Sequence, residues 1–146
     1  MSECSRIMRC QPSDVFAVLS DGWTYPLWVV GAARMRDVDP GWPAEGSRLH
    51  HSVGAWPLLL HDTTHSMGAE PPHRLRLKAR AWPSGEAMID LRIDPHDRGC
   101  VVTIAEKVVS GPAAVIPSAV EAPLLSWRNT ESLRRLSFIA EGRSRS

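Results

Sequence analysis

Residues 74–81 read Arg-Leu-Arg-Leu-Lys-Ala-Arg-Ala, a strict alternation of basic and apolar side chains. Successive side chains of a β-strand point to opposite faces of the sheet, so this octet predicts a strand with one solvated and one buried face. Residues 87–94 repeat the alternation after a turn signal at 83–85, and residues 102–104 continue it later in the chain. Together the three segments predict antiparallel strands over one apolar core.

The same period of two extends outward from these strands, over residues 29–105. A short alternating segment at residues 4–10 adds a first strand ahead of them. Clusters of Pro, Gly, Asp and Ser divide the pattern into short runs, as turns do. The sequence therefore predicts an antiparallel sheet of six to seven strands. The turn clusters lie at residues 39–41, 54–57, 70–72, 83–85 and 95–99.

Two short helices are predicted between the first strand and the rest of the sheet. Ser13 follows Pro12 and precedes the run at residues 14–19, so it takes the place of an N-cap. Residues 21–22, Asp-Gly, end this helix. A second helical turn is predicted over residues 23–28.

The last part of the chain has the spacing of a long amphipathic helix. Its inner positions recur at intervals of three and four residues, at Leu125, Asn129, Leu133, Leu136 and Ala140. A start near Pro123 places proline in the first turn, and Gly142 is the predicted end. We therefore expect one domain over residues 1–141 and a flexible tail over residues 142–146.

The composition narrows the class of protein. The chain has 146 residues, 43% of them apolar, and a formal net charge of +1. It is long enough for one globular domain, and its near-neutral charge excludes bulk electrostatic binding to nucleic acid or to an anionic membrane. The basic face of residues 74–81 is interpreted as solvated, with phosphate or lipid-headgroup contact as the alternative.

Cysteine usage and hydropathy indicate the compartment. Cys4, Cys10 and Cys100 form neither a CxxC motif nor an even disulfide framework. The first ten residues lack the apolar core of a secretory signal, and the apolar stretches are too short for a membrane span. We expect a cytoplasmic protein, monomeric or homodimeric, with no integral membrane association, no nucleic-acid partner and no cofactor.

Several short motifs resemble one family in their order along the chain. Residues 12–19, Pro-Ser-Asp-Val-Phe-Ala-Val-Leu, resemble its first helix, and residues 23–31 resemble its following aromatic segment. Further matches lie at residues 46–48 (Gly-Ser-Arg), 70–75 (Glu-Pro-Pro-His-Arg-Leu) and 127–129 (Trp-Arg-Asn). Over about residues 4–141 the chain resembles the START-like (SRPBCC) superfamily, of the polyketide cyclase/dehydrase and lipid-transport type.

The resemblance implies an α+β helix-grip fold. In that fold a curved antiparallel sheet wraps round a long C-terminal helix and encloses an apolar cavity. The implied function is binding of a hydrophobic or amphipathic small molecule, of lipid, polyketide or aromatic type. No catalytic set is implied, because most members share none. Two alternatives stay open: a polyketide cyclase/dehydratase-like enzyme, and a non-catalytic module for a protein partner.

Strand parity selects three polar residues for the inner face of the sheet. His51, Asp62 and Glu106 each share a strand face with apolar neighbours two residues away. A buried carboxylate needs a partner, and a buried acid or base is what proton transfer requires. Glu106 and His51 are therefore the candidate acid/base residues. The structural alternative for Glu106 is solvation near the end of its strand, or an ion pair with Arg34 or Arg36.

The partner of His51 stays open at this point. A hairpin turning about Trp56 places His51 opposite His61, whereas parity places His51 and Asp62 on one face. His61 and His65 form an HxxxH motif, which chelates one ion when helical. In a strand these two residues are about 13 Å apart, so no metal site is predicted.

The remaining candidates are predicted to line or close the cavity. Asn129 could bond a ligand carbonyl or hydroxyl, or the neighbouring backbone. Trp42, Trp56 and Trp82 each precede a proline and are candidates for a lid over the cavity or for plugs at its end. The predicted ligand-binding residues are Trp28, His51, Leu60, Asp62, Leu77, Ile89, Ile104, Trp127, Asn129 and Leu133.

Overall fold

The computed structural model describes residues 2–30, 32–53, 60–81, 85–111 and 118–145. This part of the chain forms seven strands, three helices and a 3-10 turn at Gly22–Thr24. The strands are β1 (Ser2–Met8), β2 (Ala32–Val38), β3 (Arg48–Val53), β4 (Leu60–Glu70), β5 (Arg74–Ala81), β6 (Gly85–His96) and β7 (Gly99–Ser110). The helices are α1 (Pro12–Ser20), α2 (Tyr25–Trp28) and α3 (Ser118–Ser144).

All seven strands form one antiparallel sheet in the order β1-β7-β6-β5-β4-β3-β2. β2 to β7 follow one another as a meander, and β1 joins the edge beside β7. α3 packs along β1 and against α1 and α2. The predicted fold class is confirmed: a seven-stranded antiparallel sheet, two short helices after the first strand and one long C-terminal helix.

The octet at residues 74–81 forms β5, with the predicted alternation of faces. Leu75 and Leu77 are buried, whereas the basic residues point outward. Arg74 pairs with Asp90 at 2.7 Å and Lys78 pairs with Glu86 at 2.9 Å. These cross-strand pairs neutralise part of the basic face, as expected of a solvated surface.

α1 begins at Pro12, one position ahead of the predicted N-cap. Gln11 is the N-cap, and Asp14 Oδ2 accepts a hydrogen bond from the Gln11 backbone N–H at 2.9 Å. The prediction of Ser13 as N-cap is wrong because Pro12 takes the first helical position, where its missing N–H costs nothing. The buried residues of α1 are Val15, Phe16, Val18 and Leu19.

α3 is longer at both ends than predicted. It begins at Ser118, so Pro123 lies inside it, and it continues through Gly142 to Ser144. A proline near the start of a 27-residue helix removes one backbone hydrogen bond and leaves the later turns intact. At the other end, Arg143 Nη2 donates to Asp21 Oδ2 at 3.2 Å and ties the last turn to α1. The predicted helix limits at Pro123 and Gly142 are therefore wrong.

The apolar core fills the end of the fold at which β1 ends. Met8 of β1, Ile93 of β6 and Val102 of β7 are fully buried against α1 and the second half of α3. The helices contribute the buried side chains Val15, Val18, Leu133, Leu136 and Ala140. Towards the other end of β7, the buried Glu106 meets Arg128 and Asn129 of the first half of α3.

Gly99 marks a close approach between β7 and the end of β1. Its φ is 139°, and a Cβ there would lie 2.4 Å from the Met8 carbonyl oxygen. Both the backbone conformation and the space exclude a side chain. Gly99→Ala is expected to lower the free energy of unfolding by about 1–3 kcal/mol, as measured by urea denaturation. Gly41→Ala is the control, because a Cβ at Gly41 meets nothing within 4 Å; equal losses in the two variants would contradict the prediction.

Candidate functional site

The register of the β3–β4 hairpin decides which histidine faces the interior. His51 lies opposite Asp62, and Ser52 lies opposite His61. Of the two placements left open, the register confirms the one that parity gave, with His51 and Asp62 on one face, and excludes the His51–His61 pair. His51, Asp62 and Glu106 are 3%, 6% and 3% exposed. All three polar residues that parity selected are buried.

Glu106 is held by α3. Arg128 Nη2 donates to both carboxylate oxygens, and Asn129 Nδ2 donates to Oε1 at 3.0 Å. The partner of Glu106 is thus Arg128 of the C-terminal helix. The ion pair with Arg34 or Arg36, which was the alternative from the sequence, is wrong. Asn129 bonds this carboxylate, rather than the backbone. The cluster joins β7 to α3 at the point where the helix crosses the sheet.

A second polar cluster lies on β3 and β4. The Thr64 hydroxyl is 2.8 Å from His51 Nε2 and 3.2 Å from the Tyr25 hydroxyl. The Tyr25 ring stacks on the imidazole with centroids 5.4 Å apart, and it meets the Trp28 ring edge-on at 5.6 Å. α2 therefore supplies the aromatic side chains that fix the His51 ring in one plane.

His51 carries an unsatisfied atom. Its Nδ1 is buried and has no hydrogen-bond partner in the described part of the chain. Burial lowers the pKa of the imidazole from 6.5 to about 4; the Asp62 carboxylate opposes this shift, and Arg36 and His50 add to it. His51 is therefore neutral at physiological pH. A buried neutral imidazole can donate or accept one more hydrogen bond.

A row of small side chains connects the two clusters. Thr64, Ala79, Ala87 and Val108 are direct neighbours across β4, β5, β6 and β7. The next inner row contains Ile89, beside Glu106, and its side chain is only partly buried. Short side chains project less volume from the inner face than Leu or Phe would at the same positions.

Several predicted wall residues lie on the inner side of the fold. Trp28, Leu77, Ile104 and Leu133 are buried, and Ile89 is partly buried. The side chain of Leu60 lies outside the described part of the structure, so its orientation stays a prediction. Contact of any of these residues with a ligand likewise stays a prediction.

The prediction for Trp127 is wrong. Its side chain is 68% exposed, so it neither packs in the core nor lines the interior. Trp127 precedes Asn129 by two residues, which turns it about 200° round the helix from the buried face. Leu124 and Phe138 share this exposed side of α3.

Of the three tryptophans that precede a proline, the structure describes Trp42. Trp42 is 9% exposed, and its indole Nε1 donates to the Leu19 carbonyl oxygen at 2.9 Å. Trp42 is therefore a buried side chain packed against the end of α1, and a role as lid or plug of a cavity stays a prediction. Trp56 and Trp82 lie outside the described residues, so their lid or plug roles stay predictions.

Other site classes find no support among the described residues. No three His, Cys, Asp or Glu side chains there come together as a metal site would require. Cys10 and Cys100 are buried free thiols, and burial raises the pKa of Cys10 to about 12, so neither suits a nucleophile. A pocket of about 230 Å³ lies mainly among outward-facing residues, such as Arg76, Met88 and Lys107. No described helix combines the length and apolar character of a bilayer span.

Sequence reasoning missed Tyr25, Thr64 and Arg128. Thr64 follows from parity, because it lies two residues beyond Asp62 on the same face. Arg128 adjoins Asn129 on the helix, and an Arg beside a buried-face Asn is the natural partner to test for an inner carboxylate. Tyr25 carried no such signal, because its position depends on how α2 packs.

Comparisons with known proteins identify solved structures that share this fold. The sequence matches no family model and no curated protein. Among solved structures, a protein from Rhodobacter sphaeroides is 22% identical, with a TM-score of 0.74 over 96% of this chain and 91% of that chain. Ara h 8.0201 is 10% identical, with a TM-score of 0.73 over 96% of each chain.

A third neighbour is the di-domain ARO/CYC protein StfQ from the steffimycin biosynthetic pathway. It is 13% identical, with a TM-score of 0.73, and the match covers 99% of this chain and 51% of StfQ. Identities this low establish the fold and not the activity. The chain therefore shares the fold of these three structures, and this is the helix-grip fold that the motif resemblance implies.

Proposed function

We propose that the protein binds a hydrophobic or amphipathic small molecule between the sheet and the first half of α3. The observation that carries this proposal is the row of small side chains from Thr64 to Val108. It crosses four strands, with the His51 cluster at one end and Glu106 at the other. An apolar floor with polar groups at its ends is the usual make-up of a small-molecule site.

The predicted wall residues fit this arrangement. Leu77 and Ile89 belong to the row next to the small side chains, and Leu133 faces the sheet from α3. Trp28 supports Tyr25 from α2. StfQ, whose ARO/CYC name and pathway connect it with small-molecule chemistry, has the same fold and supports the proposal.

The enzyme alternative is weaker on the present geometry. Both Glu106 oxygens accept hydrogen bonds from Arg128, and Oε1 also accepts one from Asn129. A general base must offer a lone pair to the substrate, and these bonds occupy three of the roughly four lone-pair sites of the carboxylate. Glu106 therefore suits a structural and positioning role, and His51 is the better remaining candidate for proton transfer.

Filling the small-residue row tests the proposal. Ala87→Leu places three more carbon atoms on the inner face, whereas Ala105→Leu places the same atoms on the outer face of β7. With 1-anilinonaphthalene-8-sulfonate as the fluorescent probe, we expect the wild type and Ala105→Leu to bind alike. Ala87→Leu should weaken binding roughly tenfold, because overpacking removes the space.

Circular dichroism of both variants controls for folding. Equal probe affinity in Ala87→Leu and Ala105→Leu would place the probe outside the proposed site. Absence of binding to the wild type, by this probe and by a panel of long-chain fatty acids and polycyclic ketones, would overturn the proposed function.

A further inference from the structure

We infer that His51 is a hydrogen-bond donor to the ligand, and that the ligand is an apolar molecule bearing an uncharged carbonyl oxygen. The inference rests on the proposed function and narrows it to one chemical class. It starts from Nδ1 of His51, which is buried without a partner in the described residues. A buried polar atom without a partner is costly, and a bound ligand that supplies the missing partner removes that cost.

The hydrogen-bond chain around Thr64 decides which ring nitrogen carries the proton. The Tyr25 hydroxyl can donate to Thr64 Oγ1, and the Thr64 hydroxyl can then donate to His51 Nε2. This direction gives both hydroxyl protons an acceptor inside the cluster, and it leaves the ring proton on Nδ1.

The opposite direction is less favourable. If Nε2–H donated to Thr64, one of the two hydroxyl protons would have no acceptor among the described partners of Tyr25 and Thr64. Both residues are buried, at 5% and 0% exposure, so water cannot easily replace that acceptor. Nδ1–H is therefore the free donor, and its natural complement is an acceptor oxygen.

The surroundings select an uncharged acceptor. The imidazole is neutral, so it offers a dipole rather than a charge to the ligand. Asp62 lies directly opposite His51 on the same buried face, and Arg80 approaches its carboxylate at 3.9 Å, so this pair supplies no net positive charge to attract a carboxylate or phosphate. Arg128, the cation of the other cluster, already binds Glu106. A ketone, quinone or ester oxygen fits these constraints.

The stacked Tyr25 ring makes the donor directional. With the ring centroids 5.4 Å apart and the planes 24° apart, the imidazole cannot turn without losing this stack. From Thr64, next to the ring, the row of small side chains leads away across Ala79 and Ala87. The body of the ligand would follow that row, and its carbonyl would meet His51.

A matched pair of ligands tests the inference. 2-Acetylnaphthalene carries a ketone, and 2-ethylnaphthalene has a methylene in place of the carbonyl. Isothermal titration of the wild type should give an affinity roughly tenfold higher for the ketone. In His51→Gln the side-chain amide can still reach Thr64 but places no donor at Nδ1, so the ratio should fall to near one. His51→Asn retains a donor close to Nδ1 and should keep part of the preference.

Two outcomes separate the inference from the function on which it rests. If both compounds bind the wild type equally, the carbonyl assignment fails and the proposed binding function stands. If neither compound binds although 1-anilinonaphthalene-8-sulfonate does, the carbonyl assignment again fails and the proposed binding function stands. A second readout needs no variant: the ¹⁵N chemical shifts of the His51 ring in the free protein should report Nδ1 as protonated. A ring protonated at Nε2 instead would overturn the inference, because Nδ1 would then be an acceptor.

Discussion

Replacing Arg128 with Met is expected to lower the free energy of unfolding by about 3 kcal/mol. The change leaves the Glu106 carboxylate, whose side chain is 4% exposed, without its cation. An unpaired buried charge costs about 3–5 kcal/mol, and the lower end applies because the Arg128 side chain is 37% exposed. Urea denaturation at neutral pH gives the measurement.

Two further variants test whether this loss of stability comes from the buried ion pair. Arg134→Met is the matched control, since Arg134 pairs with Glu131 on the exposed side of α3 and should contribute less than about 1 kcal/mol. The double variant Glu106→Leu with Arg128→Met removes both charges and should recover much of the lost stability. A loss in Arg128→Met no larger than in Arg134→Met would refute the buried ion pair as an anchor of α3.

Acidification is expected to destabilise the wild type by about 3 kcal/mol through His51 alone. In the unfolded chain this imidazole takes up a proton near pH 6.5, whereas in the folded protein it resists protonation until about pH 4. Between these values the unfolded state binds more protons, so stability falls as the pH falls. The contribution is complete above pH 6.5 and is lost towards pH 4.

The difference between wild type and His51→Gln isolates this effect. Unfolding free energies of both proteins are measured from pH 7.5 to pH 4, and the wild type should lose about 3 kcal/mol more than the variant. The two proteins differ at this side chain alone, so the difference between their curves reports its contribution. Parallel curves would show that His51 titrates as an exposed histidine does.

Much of this site follows from alternation along the strands. The period of two at residues 74–81 fixes the faces of β5, and the same parity correctly brings His51, Asp62 and Glu106 inward. Side-chain direction in a strand depends only on the local sequence, so one chain suffices to predict it.

Partners across elements could not be predicted in the same way. Whether Glu106 meets Arg36 or Arg128 depends on where α3 lies over the sheet, which no local pattern specifies. The limits of α3 were wrong for a related reason, because the Asp21–Arg143 contact between two helices extends the last turn beyond Gly142. Trp127 is different: the spacing of Asn129 and Leu133 already turns it outward, and only the expectation that Trp is buried argued otherwise.

The position of β1 at the edge beside β7 has a consequence for how the chain folds. Ser2 pairs with Glu106 and Met8 with Cys100. The first strand can therefore join the sheet only when residues about a hundred positions later are available. Closing so long a loop is entropically slow, and such non-local pairing gives a high contact order. During synthesis β1 has no neighbour until β7 has emerged from the ribosome. The complete sheet therefore forms only once β7 is available, with the N-terminal strand among the last elements to join it.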